Sequence, residues 1–315
     1  MSSRLDSYTW NKFGLTYNST EHNPPWGLTH ALVPTPQVVT PSQVAIFCSF
    51  IDQEFRGRIG RVDIGFEKGY PEVVDVKQNP ILDLGVKGSF SQYGVGMGAF
   101  WPNQVNGELY FVAFDRPKGF KFKAFTGKAR FDVSSQQYVH TSDTPKFGPE
   151  MGGRTIVGVH DIFEHDGLTH ILVSIGSGFE RINGKEYPQY QVHLASGTDL
   201  EHLEISDKPI IEAISPTYRI GRPRITKIHD GFEILVTAGT LDGSYLPEAY
   251  YSPNLSEWTK GSVKSFVSQQ IKDFDDLHQC YLSRFNINGE EWIVYNGNHM
   301  GIDGFGFARG DLIDG

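Results

Sequence analysis

Cysteine is scarce in this chain, and the little there is cannot build a disulfide framework. Only Cys48 and Cys280 occur among 315 residues, and they lie far apart in the sequence. The first ten residues, MSSRLDSYTW, lack the apolar run of a secretory signal. Without that signal, two cysteines are typical of free, buried thiols in a reducing compartment. We therefore predict a cytoplasmic protein with two unpaired thiols.

Long apolar runs and basic runs are also missing. The longest apolar stretches are short, as at residues 171–175, so no segment predicts a membrane span. Lys and Arg total 28 against 37 Asp and Glu, which gives a formal net charge of −9 at pH 7. Because the charges are well mixed and no basic cluster is available to meet phosphates, nucleic acid is not expected as a partner.

Helical periodicity is the third feature that the sequence lacks. No stretch keeps an apolar pattern of helical period for more than about three turns. Instead, short runs of strand-forming residues alternate with turn sequences such as Asn183-Gly184 and Asp230-Gly231, which favour hairpins. No linker or change of composition divides the chain. The sequence therefore predicts a single all-β domain over residues 1–315.

A faint internal repeat refines this prediction. Residues 193–203 and 249–258 both run from a strand through a serine to an Asp-Leu or Asn-Leu turn, with an apolar residue three positions after the leucine. These leucines, Leu200 and Leu255, are 55 positions apart (255 − 200). Repeats of that length with several short strands are typical of propeller blades, about five of which would fill the chain. We predict a five-bladed β-propeller, with chance similarity as the alternative.

The segment from Trp292 to Ala308 has the most informative pattern. It combines strand-forming residues with a turn that contains three glycines, Asn296, Asn298 and a histidine. Amides and imidazoles at a strand end both donate and accept hydrogen bonds, which suits a site for sugar hydroxyls. The two asparagines are therefore predicted to bind substrate. The alternative is a hairpin whose asparagines cap their own backbone.

The chain resembles the five-bladed β-propeller superfamily that includes glycoside hydrolase families 43, 32 and 68. The closer likeness is to uncharacterised, glycosidase-like propeller proteins associated with polysaccharide biosynthesis. The Tyr-Asn-Gly-Asn pattern that opens residues 295–308 is the most specific match. Modest matches are Thr-His-Ala-Leu-Val-Pro-Thr-Pro at 29–36, Ile-Asp at 51–52 with Gly-Arg-Ile-Gly at 57–60, the Pro-to-Ser segment at 80–91, and Tyr-Arg-Ile-Gly-Arg-Pro at 218–223.

The chain departs from this family pattern where carboxylates are expected. Ser91 stands where the relatives have Asp, and Leu277 stands where they have Glu. His278 replaces a Met of the relatives, and His160-Asp161 replaces their Ser-Pro at a blade entry. These differences remove two carboxylates and add new polar groups.

Glycoside hydrolysis commonly needs a proton donor and a second carboxylate across the scissile bond. The predicted catalytic residues are Asp161, Glu180 and Asp275. In a propeller, residues at blade entries converge, and Glu180 follows a strand, where it could act as the acid. The alternative is that these carboxylates cap backbone amides in turns.

Charged residues extend the predicted substrate site. Asp52, Arg58 and Arg222 are predicted to bind substrate, and the arginines indicate an anionic group on it, because a guanidinium matches carboxylate or phosphate. The alternative is an ion pair between blades.

Three histidines, His30, His160 and His278, each begin an inferred innermost strand. Neutral imidazoles that converge there would suit a divalent transition-metal ion, and hydrogen-bonding or core histidines are the alternative.

These features together, with the resemblance, predict a carbohydrate-active protein with a polar axial pocket. Its expected ligand is a carbohydrate or glycoconjugate, and the leading activity is that of a glycoside hydrolase-like or transglycosylase-like enzyme in glycan metabolism. One alternative is a non-catalytic sugar-binding or assembly module of polysaccharide synthesis. Another is a metalloenzyme that uses the three histidines. Paired carboxylates in one pocket would favour the first, and three convergent imidazoles the last.

Overall fold

The computed structural model describes residues 4–104, 106–119 and 121–313. It confirms an all-β chain, since its two α-helices, Ser19–His22 and Lys264–Val267, have only four residues each. Short 3-10 turns occur at Arg4–Ser7, Pro149–Met151 and Asn298–Gly301. No helix among the described residues is long and apolar enough to cross a membrane.

The chain forms two compact units, and neither is continuous in sequence. Unit 1 comprises Met1–Ile81, Arg224–Thr237 and Ser244–Gly315, and unit 2 comprises Leu82–Pro223 and Ala238–Gly243.

The strands of unit 1 are β1 (Tyr8–Asn18), β2 (Thr29–Thr40), β3 (Gln43–Ile51), β4 (Gly57–Gly65), β5 (Glu72–Val76), β16 (Tyr245–Ser252), β17 (Thr259–Gly261), β18 (Cys280–Ile287), β19 (Glu290–Asn296) and β20 (Gly304–Leu312). The strands of unit 2 are β6 (Val95–Trp101), β7 (Glu108–Asp115), β8 (Lys123–Asp132), β9 (Gln137–His140), β10 (Ile156–His165), β11 (Leu168–Ile182), β12 (Lys185–Gly197) and β13 (Leu203–Ile205). Strands β14 (Thr217–Ile228) and β15 (Gly231–Thr240) contribute residues to both units.

Antiparallel pairing joins the strands into sets of four. Strands β2 to β5 are neighbours in chain order, and so are β6 to β9, β10 to β13 and β14 to β17. The last set differs, because β1 from the start of the chain pairs with β20 beside β19 and β18. The pairing runs from Tyr8 opposite Leu312 to Asn18 opposite Gly304. The two termini of the described chain therefore share one sheet.

The predicted repeat has a structural counterpart. Leu200 lies between the third and fourth strands of the β10–β13 set, and Leu255 lies between the third and fourth strands of the β14–β17 set. Both side chains are buried, although the turns around them are exposed. The two similar sequences therefore encode the same turn in successive sets, and chance similarity is not needed to explain them.

The first strand of a set is irregular in a recurring way. The register of β2 shifts between Leu32 and Thr35, that of β10 between Val159 and Asp161, and that of β18 between Cys280 and Ser283. Such bulges insert an extra residue, increase the local twist and redirect side chains. In β10 the extra residue is His160, so the bulge determines where this imidazole points.

Each unit has its own apolar core. In unit 1, aromatic and aliphatic side chains pack together, and the rings of Tyr17 and Phe305 stack with their centroids 5.0 Å apart. In unit 2, β-branched residues of β10 and β11 pack with Tyr110 and Phe147. Both cysteines are free and buried, as the sequence predicts. Burial of these side chains supplies the main driving force for folding and leaves the strand ends and loops to carry polar sites.

Candidate functional site

A cleft of about 700 Å³ lies in unit 2, where β11, β12 and the segment leading into β14 meet. Between Ile175 and Gly178 the register of β11 against β12 shifts by one residue, which forms a bulge beside the cleft. Gly176 is required there, because a Cβ atom would lie 2.0 Å from the carbonyl oxygen of Gln189. Beyond the bulge, the hairpin turns through Asn183 and Gly184, as predicted from their sequence.

Two glutamates line this cleft. Glu180, at the end of β11, is half-buried, and its Oε2 accepts a hydrogen bond of 2.9 Å from Nε2 of Gln189. Glu212 is exposed in the loop before β14, where the amide of neighbouring Ala213 donates to Oε1 of Gln191 at 3.1 Å. Sequence reasoning proposed Glu180 and missed Glu212. The sequence feature that could have indicated Glu212 is its position in a loop between Pro209 and Pro216.

Aromatic residues complete the wall. Tyr190 and Tyr218 both line the cleft, and Gly221 packs so closely on the Tyr190 ring that an added Cβ would lie 2.4 Å from it. Burial raises the pKa of Tyr218 to about 12, so its hydroxyl stays protonated at neutral pH and can donate a hydrogen bond. Flat rings beside amides and carboxylates are suited to binding sugars, whose faces are apolar and whose edges carry hydroxyls.

His193 is the imidazole of the cleft. Its Nδ1 lies 3.4 Å from the carbonyl oxygen of Ser206, and burial lowers the pKa of His193 despite this contact. The ring is therefore neutral at pH 7, and it can donate or accept a hydrogen bond without adding charge.

Of the predicted site residues, Arg222 and His160 meet in unit 2, and neither is among the described residues that line the cleft. Nη1 of the buried Arg222 donates to the carbonyl oxygens of Gly98 at 2.9 Å and Met97 at 3.2 Å. It also lies 3.4 Å from Nδ1 of His160. Arg222 therefore links three strands, which differs from the substrate-binding role that the sequence predicts.

Asp161 follows His160 in β10 and is half-buried. Its Oδ1 accepts a hydrogen bond of 3.1 Å from the amide of Ile162, which is the local capping role expected as the alternative. Asp161 is not among the described residues that line the cleft.

Asp275 is the clearest correction among the predicted catalytic residues. Its side chain is completely buried in unit 1. One carboxylate oxygen accepts hydrogen bonds from Nζ of Lys12 at 2.7 Å and from the hydroxyl of Tyr295 at 2.9 Å. The Asp275 carboxylate and the Lys12 ammonium therefore form a structural ion pair, and the buried carboxylate is not accessible to a glycan.

Asn296 is also structural. It is completely buried, and its Nδ2 donates to the carbonyl oxygens of Ala31 at 2.9 Å and Gly304 at 2.7 Å. Its Oδ1 accepts from the amide of Val33 at 2.9 Å. The side chain thus satisfies backbone groups of β2 and β20, because buried peptide groups need partners.

Asn298 organises a turn. Its Oδ1 accepts hydrogen bonds from the amides of Leu277 at 2.8 Å and His278 at 3.0 Å. Its Nδ2 donates to Oδ1 of Asp276 at 2.7 Å. Both side chains are therefore engaged within the protein. Apart from the bond of Asn296 to Gly304, their partners belong to segments distant in sequence, so the alternative of asparagines that cap their own hairpin does not describe them either.

Asp52 and Arg58 are both predicted from the sequence to bind substrate. In the structure they form an ion pair with each other in unit 1. Asp52 also accepts hydrogen bonds from the amides of Glu54 at 2.8 Å and Arg56 at 2.9 Å. Burial raises the pKa of Asp52, but these hydrogen bonds outweigh it and hold the pKa below its usual value. The pair fixes the turn between β3 and β4.

The predicted three-histidine metal site is not found in the described part of the chain. Within residues 4–104, 106–119 and 121–313, no group of three or more His, Cys, Asp or Glu side chains is arranged to hold a metal ion. Each imidazole has another partner. Nδ1 of His30 lies 2.7 Å from the hydroxyl of Thr29, and Nδ1 of His278 accepts from the amide of His299 at 3.1 Å. Nδ1 of His160 faces the Arg222 guanidinium, whose positive charge opposes a metal cation there.

Comparison with known proteins bears on the fold. No family model matches the chain. An uncharacterised protein of Mycobacterium tuberculosis is 29% identical over 300 residues, which are 95% of this chain and 98% of that protein.

Solved structures of glycoside hydrolases are similar over nearly the whole chain. A glycoside hydrolase has a TM-score of 0.68 at 12% identity, covering 99% of this chain and 97% of that one. A glycosyl hydrolase from Bacteroides ovatus has a TM-score of 0.60 at 9% identity, covering 98% and 91%. An α-L-arabinofuranosidase from Podospora anserina, in complex with cellotriose, has a TM-score of 0.57 at 11% identity, covering 96% and 97%. The chain therefore has the fold of propeller-type glycoside hydrolases, and the resemblance stated above is confirmed at the level of fold.

Proposed function

We propose that this chain is a carbohydrate-active protein with glycoside hydrolase-like chemistry, and that it binds its glycan in the unit 2 cleft. The observation that carries the proposal is the composition of that one cleft. Glu180 and Glu212 line it together with Tyr190 and Tyr218. The shared fold agrees with this assignment, although activity has to be argued from the site itself.

The four-stranded sets support the finer prediction of five blades. Four sets follow one another in chain order, from β2–β5 to β14–β17, and β1 joins β18–β20 to complete a fifth. Completion of the last set by the first strand ties together the ends of the chain, because β1 pairs along the outer side of β20.

In the proposed reaction, Glu180 is the general acid that protonates the leaving oxygen. Its half-buried position and its hydrogen bond from Gln189 fix the carboxyl group beside the cleft. Glu212, which faces solvent, is the second carboxylate that glycoside hydrolysis requires, acting on water or on the anomeric carbon. The tyrosine rings position the sugar between the two glutamates.

The test measures release of new reducing ends from a panel of oligosaccharides. We expect Glu180→Gln and Glu212→Gln each to lower hydrolysis by about 100-fold or more, as for loss of a general acid or base. Glu204→Gln is the matched control, because Glu204 is exposed in β13 of the same unit and outside the cleft lining. Equal activity of all three variants would contradict the roles of the two glutamates.

One observation favours a second function, a non-catalytic sugar-binding or assembly module of polysaccharide synthesis. Ser91, at a position where the resemblance implies a carboxylate, is buried with its hydroxyl 3.3 Å from that of Ser89. At the other such position, Leu277 is exposed and apolar. Binding of a glycan without any release of reducing ends, under conditions that preserve the fold, would select this alternative.

A further inference from the structure

The charge of the cleft lining has one sign. Glu180 and Glu212 are acidic, and no lysine or arginine is among the described residues that line the cleft. His193 adds no positive charge at neutral pH, because burial lowers its pKa. The polar residues that remain are amides, hydroxyls and tyrosines, which recognise uncharged groups.

The arginine beside the cleft does not reverse this sign at the surface. Arg219 adjoins Tyr218 and is only 8% exposed. Its guanidinium carbon lies 5.3 Å from the centroid of the Tyr187 ring and 5.2 Å from that of the Tyr218 ring. These cation–π contacts hold the guanidinium beside the two rings. Arg219 thus packs on Tyr218 and is largely withdrawn from solvent.

The arginines that the sequence assigned to an anionic substrate also have other partners. The Arg58 guanidinium pairs with Asp52, and the Arg222 guanidinium is bound to backbone carbonyl oxygens of unit 2. The chain as a whole carries a formal charge of −9, which further disfavours the approach of an anion.

We propose that the cleft takes uncharged or amine-bearing oligosaccharides and excludes those that carry uronate, sulfate or phosphate groups. This inference rests on the proposed function and specifies its substrate class. Two carboxylates with no cation in the lining repel an anionic sugar and attract a protonated amine. The aromatic rings in the lining favour the same choice, since they pack on neutral sugars.

An array of immobilised glycans tests the proposal across whole classes of sugar, because it presents neutral, amine-bearing and anionic glycans side by side. We expect bound glycans to fall in the first two classes. Affinity is then measured by calorimetry for the best neutral glycan and for its uronate counterpart of the same length and linkage. The uronate should bind about tenfold more weakly or worse at low salt, and added salt should narrow the gap.

Glu212→Lys is expected to reverse the charge preference of the cleft. It should strengthen binding of the uronate counterpart by about tenfold and weaken binding of amine-bearing glycans, because it changes the sign of one group in the lining. Glu204→Lys is the control, since it makes the same change in net charge outside the cleft. Equal effects of the two variants would show that overall charge governs selectivity, which overturns the role of the cleft.

The remaining outcomes separate the inference from the proposed function. If the array retains mainly anionic glycans and hydrolysis still depends on Glu180, the inference on charge fails while the proposed function stands. If no glycan of any class is bound or cleaved, the proposed function fails, and the substrate class falls with it.

Discussion

The buried ion pair of unit 1 gives the sharpest prediction about stability. The side chains of Lys12 and Asp275 are 3% and 0% exposed, and Nζ lies 2.7 Å from Oδ2. The ammonium also sits 4.2 Å from the centroid of the Phe266 ring. Lys12→Met keeps most of the side-chain volume but leaves the Asp275 carboxylate buried without its cation. Loss of one partner of a buried pair costs about 3–5 kcal/mol of unfolding free energy.

A second substitution separates the charge from the packing. Asp275→Asn, introduced together with Lys12→Met, removes the uncompensated charge. Its oxygen can still accept from the amide of Ile271, and its NH2 can donate to the hydroxyl oxygen of Tyr295. We expect the double variant to recover most of the lost stability, to within about 1–2 kcal/mol of the parent. Because Asp275 lies outside the cleft lining, the double variant should also retain the glycan binding and hydrolysis assigned to Glu180.

Urea denaturation at pH 7 measures these changes as shifts of the midpoint at constant slope. Lys68→Met is the control, because the ion pair of Lys68 with Glu72 is solvent-exposed and should have little effect. Unfolding of Lys12→Met at the parent's urea concentration would refute the structural role of the pair. Simple addition of the two single effects in the double variant would refute the coupling.

Two further predictions concern unit 2. Gly176→Ala places a Cβ 2.0 Å from the Gln189 carbonyl oxygen, so the bulge must move. We therefore expect lower stability and at least about tenfold weaker glycan binding. Unchanged affinity in calorimetry would show that the bulge does not shape the cleft. The pKa of His193 is lowered by burial, so the unfolded state binds more protons below about pH 6.5 and stability falls as the pH decreases. His193→Gln should reduce the change of the urea midpoint between pH 8 and pH 5, whereas His229→Gln, at an exposed histidine, should not. The same dependence of the midpoint on pH in both variants would contradict the burial of a neutral His193.

The class of structure and much of its local geometry were predictable from the sequence. Its strand-forming runs and its turns, such as Asn183-Gly184, depend on neighbouring residues, so the hairpins were predictable. The similarity around Leu200 and Leu255 located equivalent turns of two strand sets, because each set is built from a continuous segment. Free, buried cysteines followed from composition.

The roles of the polar residues depend on contacts that form only in the folded chain. Asp275 meets Lys12 across 263 positions, and Arg222 meets the carbonyl oxygen of Gly98 across 124. No local pattern encodes such pairs. A charged or amide residue has the same sequence signature whether its side chain binds a ligand or binds the backbone. Glu212 stands in a loop without a motif and joins Glu180 only because folding brings that loop to the end of β11. Residue types and turns follow from short-range chemistry, whereas the partners of buried polar groups depend on which distant strands the fold places side by side.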